Sequence, residues 1–190
     1  MAGGHDRMGV DGPAVSSRAM REITESDLDD LVVAARASAR RRLNLNLHQA
    51  LDDPVNRLAI AIEPDSYIRP HRHDRPETVV LLRGAIDVLA FDDEGVLLSR
   101  RRLDGGGGAI RIVEYPPHTW HSLLALASPT VFFEVKQGPY APLAPGDSAG
   151  WAPAEGTPEV ADWMRFAGNA KPGDRFAVGL DGRRPAAGCG

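Results

Sequence analysis

The chain has 190 residues, of which 43% are hydrophobic and 25% charged, and its formal net charge is −4. This length allows one domain with a real core plus tails, and the charge provides no positive field to attract nucleic acid or anionic lipid. The sequence contains no run of about 18 apolar residues, so no membrane span is predicted. The N-terminus lacks the apolar stretch of a secretory signal, and the single cysteine, Cys189, excludes an internal disulfide. We therefore expect a cytoplasmic protein.

The first predicted element after a tail is a helix. Residues 1–20 are rich in Gly, Ala and Ser without periodicity, which predicts a disordered extension. The segment ITESDLDDLVVAARASARRR then carries an apolar stripe at helical spacing, with Thr24 as N-cap and Asp27 three residues later. The arginines at 40–42 are expected in the last turn, where positive charge is favourable.

After this helix the hydrophobic period changes from 3.6 to 2, which is typical of β-strands. Short alternating or continuously apolar runs follow, and turn signals such as residues 104–108 separate most of them. These runs are RRLNLNLHQ, NRLAIAIEP, TVVLLRG, AIDVLAFDD, VLLSRRRL, AIRIVEYPP, TWHSLLALA and TVFFEVKQG. About eight short strands at this spacing predict a mainly β sandwich or barrel rather than βαβ units.

Two histidines stand one residue apart in SYIRPHRHDRPETVVLLRG. Residues two apart in a strand point to the same side, so His71 and His73 should project together, on the face of Tyr67 and Arg69. The following turn places Glu77 at the start of the next strand, where its carboxylate can reach back to the same point. Such ligands suit Fe(II), Mn, Ni, Cu or Zn better than Ca or Mg. The alternative for Glu77 is a salt bridge with a nearby arginine.

A second histidine motif, EYPPHTWH, lies at residues 114–121. If its strand pairs near the strand of His71, His121 reaches the same metal. The alternative is that these histidines are surface residues or are satisfied by a backbone carbonyl. His118 is either a turn residue without a ligand role or a mobile proton carrier above the metal. Trp120 should point to the opposite face, into the core.

Several polar residues are candidates for binding a small molecule. In the first strand a polar row alternates with leucines, and it is either solvated outside or directed into the barrel toward a polar ligand. The row consists of Arg42, Asn44, Asn46 and His48. Weaker candidates of the same kind are Arg57, Arg69, Lys136 and Tyr140.

The C-terminal part is rich in Pro and Gly, and one short helix is predicted in TPEVADWMRFAG. Thr157 is the expected N-cap and Pro158 the first helical residue. Trp151 and Trp163 are expected to pack this segment onto the barrel, and residues 178–190 to be a flexible tail.

Both histidine motifs resemble those of the cupins, which are small double-stranded β-barrels. The pattern H-x-H-x3-E-x6-G is met by His71, His73, Glu77 and Gly84. The segment PPHTWH resembles the second motif, P-x-G-x2-H, through Pro116 and His121. The resemblance implies a jelly roll in which a divalent metal is held near the mouth by His71, His73, Glu77 and His121. Asp65 and His118 stand where the motifs usually have glycine, so both are expected in turns, where Asp and His tolerate φ > 0 better than most residues.

A finer resemblance is to the WbuC family of cupin-fold metalloproteins, named for a gene of bacterial surface-polysaccharide clusters. It is carried by RLNLNLH, NRLAIAIEPDSYIRPHRH, TVFFEVKQGPYAP and WAPAE, within residues 22–176. The implied organisation is a tail (1–20), a cupin barrel with its leading helix (21–140), an extension packed on the barrel (141–177) and a second tail (178–190).

These observations predict a metalloenzyme acting on a small polar molecule, such as a sugar or sugar nucleotide in surface-polysaccharide synthesis, by isomerase-like chemistry. His48 or His118 would move the proton, while Asn44, Asn46 and Arg57 would orient the substrate. The alternatives are an Fe(II)-dependent oxygenase and a metal-dependent binding or regulatory module without turnover. The sequence contains no appended DNA-binding helix pair, and the resemblance to cupins implies a homodimer.

Overall fold

The computed structural model describes residues 20–107 and 109–177. The tails predicted at 1–20 and 178–190 thus lie outside the described residues, apart from Met20. Within the described part there are two helices, α1 (Glu25–Ala37) and α2 (Val160–Asn169), and neither is long and apolar enough to cross a membrane. The strands are β1 (Arg42–Asn46), β2 (Val55–Ile62), β3 (Glu77–Arg83), β4 (Ile86–Phe91), β5 (Leu97–Leu103), β6 (Ile112–Tyr115), β7 (Trp120–Ala125) and β8 (Thr130–Gln137).

The strands form two antiparallel sheets. One has the order β1-β2-β8-β3-β6, and the other has the order β5-β4-β7. Neighbours in each sheet are often distant in sequence, as in the pairs β2–β8 and β4–β7. This is the mainly β jelly roll with two helices that the sequence predicts, and each predicted strand corresponds to one in the structure.

The core between the sheets is built from the inward faces of strands in both. Phe132, Val79 and Ile62 come from the large sheet, and Ile86 and Val88 come from the small one. All five side chains are at most 3% exposed. Alternation along each strand therefore decides which positions face the barrel interior, and the same alternation places the polar residues described below.

Each sheet is covered on its outer face. Helix α1 packs Leu28, Leu31 and Val32 against Ala59 and Ala61 of β2. The outer face of the small sheet is covered by the C-terminal segment, in which Trp163 and Trp151 pack near Phe91 and Trp120 as the sequence predicts. Outward-facing alanines on β2 allow close approach of α1, since a small side chain leaves room for the helix backbone.

The predicted start of α1 is confirmed, but its predicted end is wrong. The Thr24 side chain accepts from the Asp27 backbone N–H, and the Asp27 carboxylate accepts from the Thr24 N–H, which completes a capping box. The helix ends at Ala37, before the arginines at 40–42. These arginines form side-chain ion pairs instead: Arg40 and Arg42 each lie 2.6 Å from Glu155.

The start of α2 also differs from the prediction. The helix begins at Val160, and its N-cap is Glu159 without a side-chain hydrogen bond. The Val160 N–H donates to the Thr157 carbonyl and the Ala161 N–H to the Pro158 carbonyl. These i to i+3 bonds hold the preceding residues in a tighter turn, so Thr157 and Pro158 precede the helix instead of opening it.

The last residue of the first histidine motif, Gly84, occupies a position that only glycine can fill. Its φ is +78°, and a Cβ there would lie 2.4 Å from the Pro129 carbonyl oxygen. Glycine is therefore needed both for the backbone conformation and for the close approach of the two chain segments.

Candidate metal centre

The structure pairs the two histidine motifs directly. The His71 N–H donates to the His121 carbonyl at 3.0 Å, and the His121 N–H donates to the His71 carbonyl at 2.9 Å. In an antiparallel pair, residues that exchange both bonds carry their side chains on the same face. The two imidazole centroids are accordingly 4.4 Å apart. This is the pairing that the sequence predicts between the strand of His121 and the segment of His71.

Three imidazoles converge at this point. The ligand atoms of His71, His73 and His121 all lie within 4.8 Å of one another. The Nδ1 atoms of His71 and His121 lie 3.0 and 2.9 Å from the carbonyls of Arg69 and Thr119. Since a carbonyl can only accept, each Nδ1 carries the proton, and each Nε2 keeps a free lone pair.

The unpaired ring nitrogens fit a metal ion. The Nε2 atoms of His73 and His121 are buried and have no hydrogen-bond partner. A buried polar atom without a partner is costly, and coordination to a cation would satisfy both atoms at once. Hydrogen bonds from Nδ1 to backbone carbonyls are also the usual support for imidazoles that bind metals through Nε2.

The protonation of the cluster suits this role. Burial, followed by the neighbouring His121, lowers the pKa of His71 to about 3. Burial also lowers the pKa of His121. Both imidazoles are therefore neutral near pH 7, which is the form that binds metals.

Glu77 opens β3 beside the three histidines and is 2% exposed. Its Oε2 lies 3.2 Å from His73 Nε2, and its Oε1 lies 3.9 Å from His121 Nε2. Two ligands about 2.1 Å from one ion lie roughly 3.0–3.4 Å apart when the angle between them is 90–109°. Glu77 is thus placed to share an ion with His73. Its cationic neighbour is Lys136, at 3.5 Å, and not an arginine as the alternative reading expects.

A buried polar network continues from Glu77 along the sheet. Lys136 Nζ lies 2.8 Å from Glu134 Oε1, and Tyr115 Oη donates to Glu77 Oε1 at 3.0 Å. Burial alone would raise the pKa of Glu77, but the neighbouring His73 and the charge of Lys136 outweigh it and lower the pKa. Burial, followed by the charge of Glu77, raises the pKa of Glu134 to about 7. Glu77 is therefore a carboxylate, acting as acceptor.

Sequence reasoning missed three members of this region: Tyr115, Glu134 and Asn56. Lys136 pairs across the sheet with both Asn56 and Glu77, and Glu77 pairs with Tyr115, so the four side chains form one row on the interior face. Asn56 is 2% exposed, and its Oδ1 has no partner. The available signal was polarity on an otherwise apolar face, since Asn56 shares a strand face with Leu58, and Glu134 with Phe132.

Part of the predicted polar row lies on this interior face as well. Leu43 and Leu45 pack toward α1, so Asn44 and Asn46 point to the other side of β1. Both asparagines are exposed, because β1 is an edge strand, and their amides are joined by a hydrogen bond of 2.7 Å. Arg42 is held instead by Glu155 and by the Tyr67 carbonyl.

The side chains of three of the other candidates show no hydrogen bond or ion pair with the cluster among the described residues. Arg57 shares the outer face of β2 with Ala59 and lies 3.7 Å from Asp53. Arg69 donates twice to the Ala149 carbonyl. The Tyr140 side chain is 50% exposed, and its backbone N–H donates to the Leu51 carbonyl.

The predicted common face of Tyr67, Arg69, His71 and His73 is not maintained. Tyr67 belongs to the outer cluster and contacts the Trp163 ring at 5.1 Å, whereas His71 faces His121. Residues 66–70 are not a regular strand, so the strict alternation assumed from the sequence does not hold before Pro70.

The two histidines proposed as proton carriers lie in different settings. His118 is exposed, and its backbone N–H donates to the His73 carbonyl at 2.6 Å, so it sits beside the cluster. His48 is 7% exposed, and its Nδ1 accepts from the Arg57 backbone N–H at 3.0 Å. Within the described residues, no hydrogen bond or ring contact joins His48 to the three histidines.

A cavity of about 610 Å³ lies elsewhere, between α2 and the end of β7. Its lining includes Leu124, Leu126, Val160 and Met164 and none of the clustered histidines. Apolar walls alone provide no chemistry, so we place the candidate functional site at the histidines, where ligand-forming atoms converge.

Comparison with protein families gives a partial match. A family model described as a domain of unknown function, DUF6016, matches residues 23–103, which is less than half of the chain. No curated protein matches the sequence.

Solved structures with a similar arrangement include several cupin-fold proteins. The oxalate decarboxylase of Lactobacillus farciminis, solved as a formate complex, is 19% identical over 53% of this chain and 29% of its own, with a TM-score of 0.41. KdgF from Halomonas sp. is 20% identical over 53% of this chain and 80% of its own, with a TM-score of 0.41. A cupin superfamily protein from Desulfitobacterium hafniense is 15% identical over 56% of this chain and 86% of its own, with a TM-score of 0.43.

This chain therefore spans less than a third of the oxalate decarboxylase, and each of the three matches covers only part of this chain. The strand order, the inward-facing core and the position of the histidines at one end of the two sheets define the class of protein: a jelly-roll β-barrel. More particularly, it is a jelly-roll barrel with a cluster of three histidines that could hold a metal ion.

Proposed function

We propose that this protein is a metal-dependent enzyme acting on a small polar molecule at the mouth of its barrel. The observation that carries the proposal is the convergence of three imidazoles within 4.8 Å, two of which have buried Nε2 atoms without partners. His71, His73, His121 and Glu77 would hold a divalent transition metal, Fe, Mn, Ni, Cu or Zn. Such an ion would supply Lewis-acid polarisation of a ligand oxygen.

The residues of the interior face would bind the organic ligand. Asn44 and Asn46 present amide donors and acceptors on the interior face of the large sheet, and Lys136 adds an ammonium group beside Glu77. We assign the orientation of the substrate to these three side chains. Arg57, Arg69 and Tyr140 are left out of this assignment, since Arg57 lies beside Asp53, Arg69 donates to the Ala149 carbonyl, and Tyr140 is half exposed.

His118 is the better candidate for moving a proton. It is exposed at the mouth and tied by its backbone to His73, so its side chain can approach a ligand from the solvent side. His48 is buried against the Arg57 backbone, and a role for it requires a ligand that reaches the end of β1. Removing either imidazole should lower turnover without removing the metal.

The finer parts of the proposal concern chemistry and biological setting. We propose a sugar or sugar nucleotide as the substrate class and an isomerisation as the reaction, in surface-polysaccharide synthesis. Support comes from the resemblance to the WbuC family and from the amide-lined face of β1. A cytoplasmic location and a homodimeric assembly belong to the same proposal.

The test begins with protein purified without added metal. Elemental analysis should find about one transition-metal ion per chain, and His71→Ala should lose it, whereas His48→Ala should retain it. Screening of sugar nucleotides and small acids should then give a product that is absent with His71→Ala.

Other outcomes would replace the proposal. Bound iron together with consumption of O2 would favour an oxygenase, and binding of a compound without product would favour a non-catalytic module. Equal metal content in wild type and His71→Ala would overturn the metal centre itself.

A further inference from the structure

Tyr115 contacts two of the four candidate ligands at once. It is the last residue of β6, lies directly opposite Glu77 in the sheet register, and is 5% exposed. Its Oη donates to Glu77 Oε1 at 3.0 Å. Its ring stacks on His121, with centroids 4.1 Å apart and an interplanar angle of 26°. A residue that only filled space would not need a hydroxyl at this point.

The two oxygens of Glu77 have different neighbours. Oε1 accepts the hydrogen bond from Tyr115 and lies 3.9 Å from His121 Nε2. Oε2 lies 3.2 Å from His73 Nε2 and 3.5 Å from Lys136 Nζ. Because the carboxylate can only accept, the Tyr115 hydroxyl must be the donor. The geometry therefore leaves Oε2 as the oxygen that is free of the Tyr115 hydrogen bond and that lies nearest to a histidine nitrogen, His73 Nε2.

We propose that Tyr115 is a positioning residue that holds Glu77 Oε1, so that Glu77 offers only Oε2 to the metal and a coordination position stays open for a small anionic ligand. This inference rests on the proposed function, since it concerns the same centre. An open position separates a reactive centre from a closed structural one, and partners of metal-binding side chains commonly decide such geometry.

The chain offers a matched control. Tyr67 is also buried, at 6% exposure, and its Oη also donates a hydrogen bond, to the Pro153 carbonyl at 2.7 Å. Its ring contacts Trp163, in the outer cluster. Tyr67→Phe removes one hydrogen bond of a buried phenolic hydroxyl, as Tyr115→Phe does, but this hydrogen bond does not involve Glu77. A purely structural effect of losing the hydroxyl should therefore be similar in the two variants.

The experiment uses Co(II) as the metal and azide as the small anion. Full-length wild type, Tyr115→Phe and Tyr67→Phe are loaded with Co(II), the visible absorption is recorded, and azide is titrated. We expect wild type and Tyr67→Phe to share one spectrum and one azide affinity. In Tyr115→Phe the spectrum should change, because both Glu77 oxygens become available, and azide affinity should fall at least about tenfold, a typical size for losing such a partner. An unchanged spectrum and azide affinity in Tyr115→Phe would overturn the inference while leaving the metal centre intact.

A second measurement does not depend on the variant folding. In a crystal structure of the Co(II)-loaded wild type, Glu77 should bind through Oε2 alone, with Tyr115 Oη still within hydrogen-bond distance of Oε1. Binding through both oxygens, or through Oε1, would refute the role of Tyr115. The proposed function fails separately if wild type takes up no Co(II), or if His121→Ala gives the wild-type spectrum, and the inference then fails with it.

Discussion

At the scale of single residues, His118 occupies a backbone conformation that most side chains avoid. Its φ is 62°, at the position where the second cupin motif usually has glycine. Asp65, at the other replaced glycine, lies in a turn but is not among the residues with positive φ. Both residues thus lie in turns as expected, and φ is positive only at His118. A strained backbone conformation beside a candidate metal centre suggests that the His118 imidazole has a functional role there.

His118→Gly should separate strain from function. Glycine adopts this conformation freely, so the variant should be as stable as wild type or up to about 1 kcal/mol more stable, although glycine at ordinary positions costs 0.5–1 kcal/mol. Urea unfolding measures the stability, and elemental analysis should find unchanged metal. A loss of more than about 1 kcal/mol would contradict this account of the turn.

Lys136 compensates the negative charge of two buried carboxylates. It lies 2.8 Å from Glu134 and 3.5 Å from Glu77. Lys136→Met should destabilise the metal-free protein by about 2–4 kcal/mol, because it leaves buried negative charge uncompensated. The double variant Lys136→Met/Glu134→Gln should recover at least half of this loss. Urea unfolding in the presence of a chelator tests both values, and a single variant within about 0.5 kcal/mol of wild type would rule out this role.

Residue-scale prediction from the sequence succeeded where a residue belongs to a spaced motif. His71 and His73 could be grouped because residues two apart in a strand share a face, and His121 was added to them through the resemblance of its motif to that of the cupins. Tyr115 and Glu134 could not be found in that way, since their role depends on which strands are neighbours in the sheet. The register of β3 with β6 and β8 is a tertiary property, set by packing of distant segments.

At the scale of elements, a buried ion pair fastens α2 to the small sheet. Asp87 on β4 is fully buried and accepts hydrogen bonds from Arg100 and Arg102 of β5. Arg100 also donates to the carbonyls of Ala170 and Gly168, at the C-terminal end of α2. A positive charge at a helix C-terminus is favourable, so Asp87 positions the arginine that holds the helix.

Asp87→Asn should therefore loosen the C-terminal segment in a pH-dependent way. Burial alone would raise the pKa of Asp87, but hydrogen bonds from Arg102 and Arg100 outweigh it and lower the pKa below its ordinary 3.8. The stabilisation is thus complete above about pH 4, and it is lost as the pH falls through the lowered folded-state pKa. We expect a loss of about 2–4 kcal/mol at pH 7 in Asp87→Asn.

Urea unfolding of wild type and Asp87→Asn at pH 7 and at acid pH checks both the size and the sign. The difference between the two proteins should shrink as the pH is lowered below about 3.8, the ordinary value for this carboxyl group. A difference that stays constant, or that grows toward low pH, would contradict the assignment of the effect to the Asp87 charge.

The elements themselves were largely predictable, and their exceptions have local causes. Alternation of polar and apolar residues marked the strands, and the capping box marked the start of α1. The end of α1 was missed because Ser38 forms local hydrogen bonds with Ala35 and Arg42, and the arginines form tertiary ion pairs such as Arg42–Glu155, which compete with helix continuation. The start of α2 was missed because a turn with i to i+3 bonds precedes it.

At the scale of the whole molecule, the barrel gathers the ends of several strands around one point. Antiparallel pairing places the start of β3 and the ends of β6 and β8 at the same end of the large sheet. The start of β7, which carries His121, meets this end through its pairing with His71. Residues more than forty positions apart in sequence are thus joined by the fold itself, and binding of a cation should strengthen the joined structure.

Metal binding should accordingly raise the stability of the whole barrel. A ligand present at 100 times its dissociation constant adds about 2.7 kcal/mol, which for a chain of this size corresponds to a Tm increase of roughly 5–10 °C. We expect this increase with Co(II) for wild type and for Tyr67→Phe, and none for His121→Ala. Calorimetry measures it, and an equal increase in His121→Ala would mean that the ion binds elsewhere.

The central claim, that two separated motifs share one ion, is tested most directly by anomalous diffraction at the absorption edge of the metal found by elemental analysis. We predict one anomalous peak about 2.0–2.2 Å from Nε2 of each of the three histidines and from an oxygen of Glu77. A metal-loaded crystal whose peak lies away from His71, His73 and His121, or that contacts only one of the two motifs, would contradict the account.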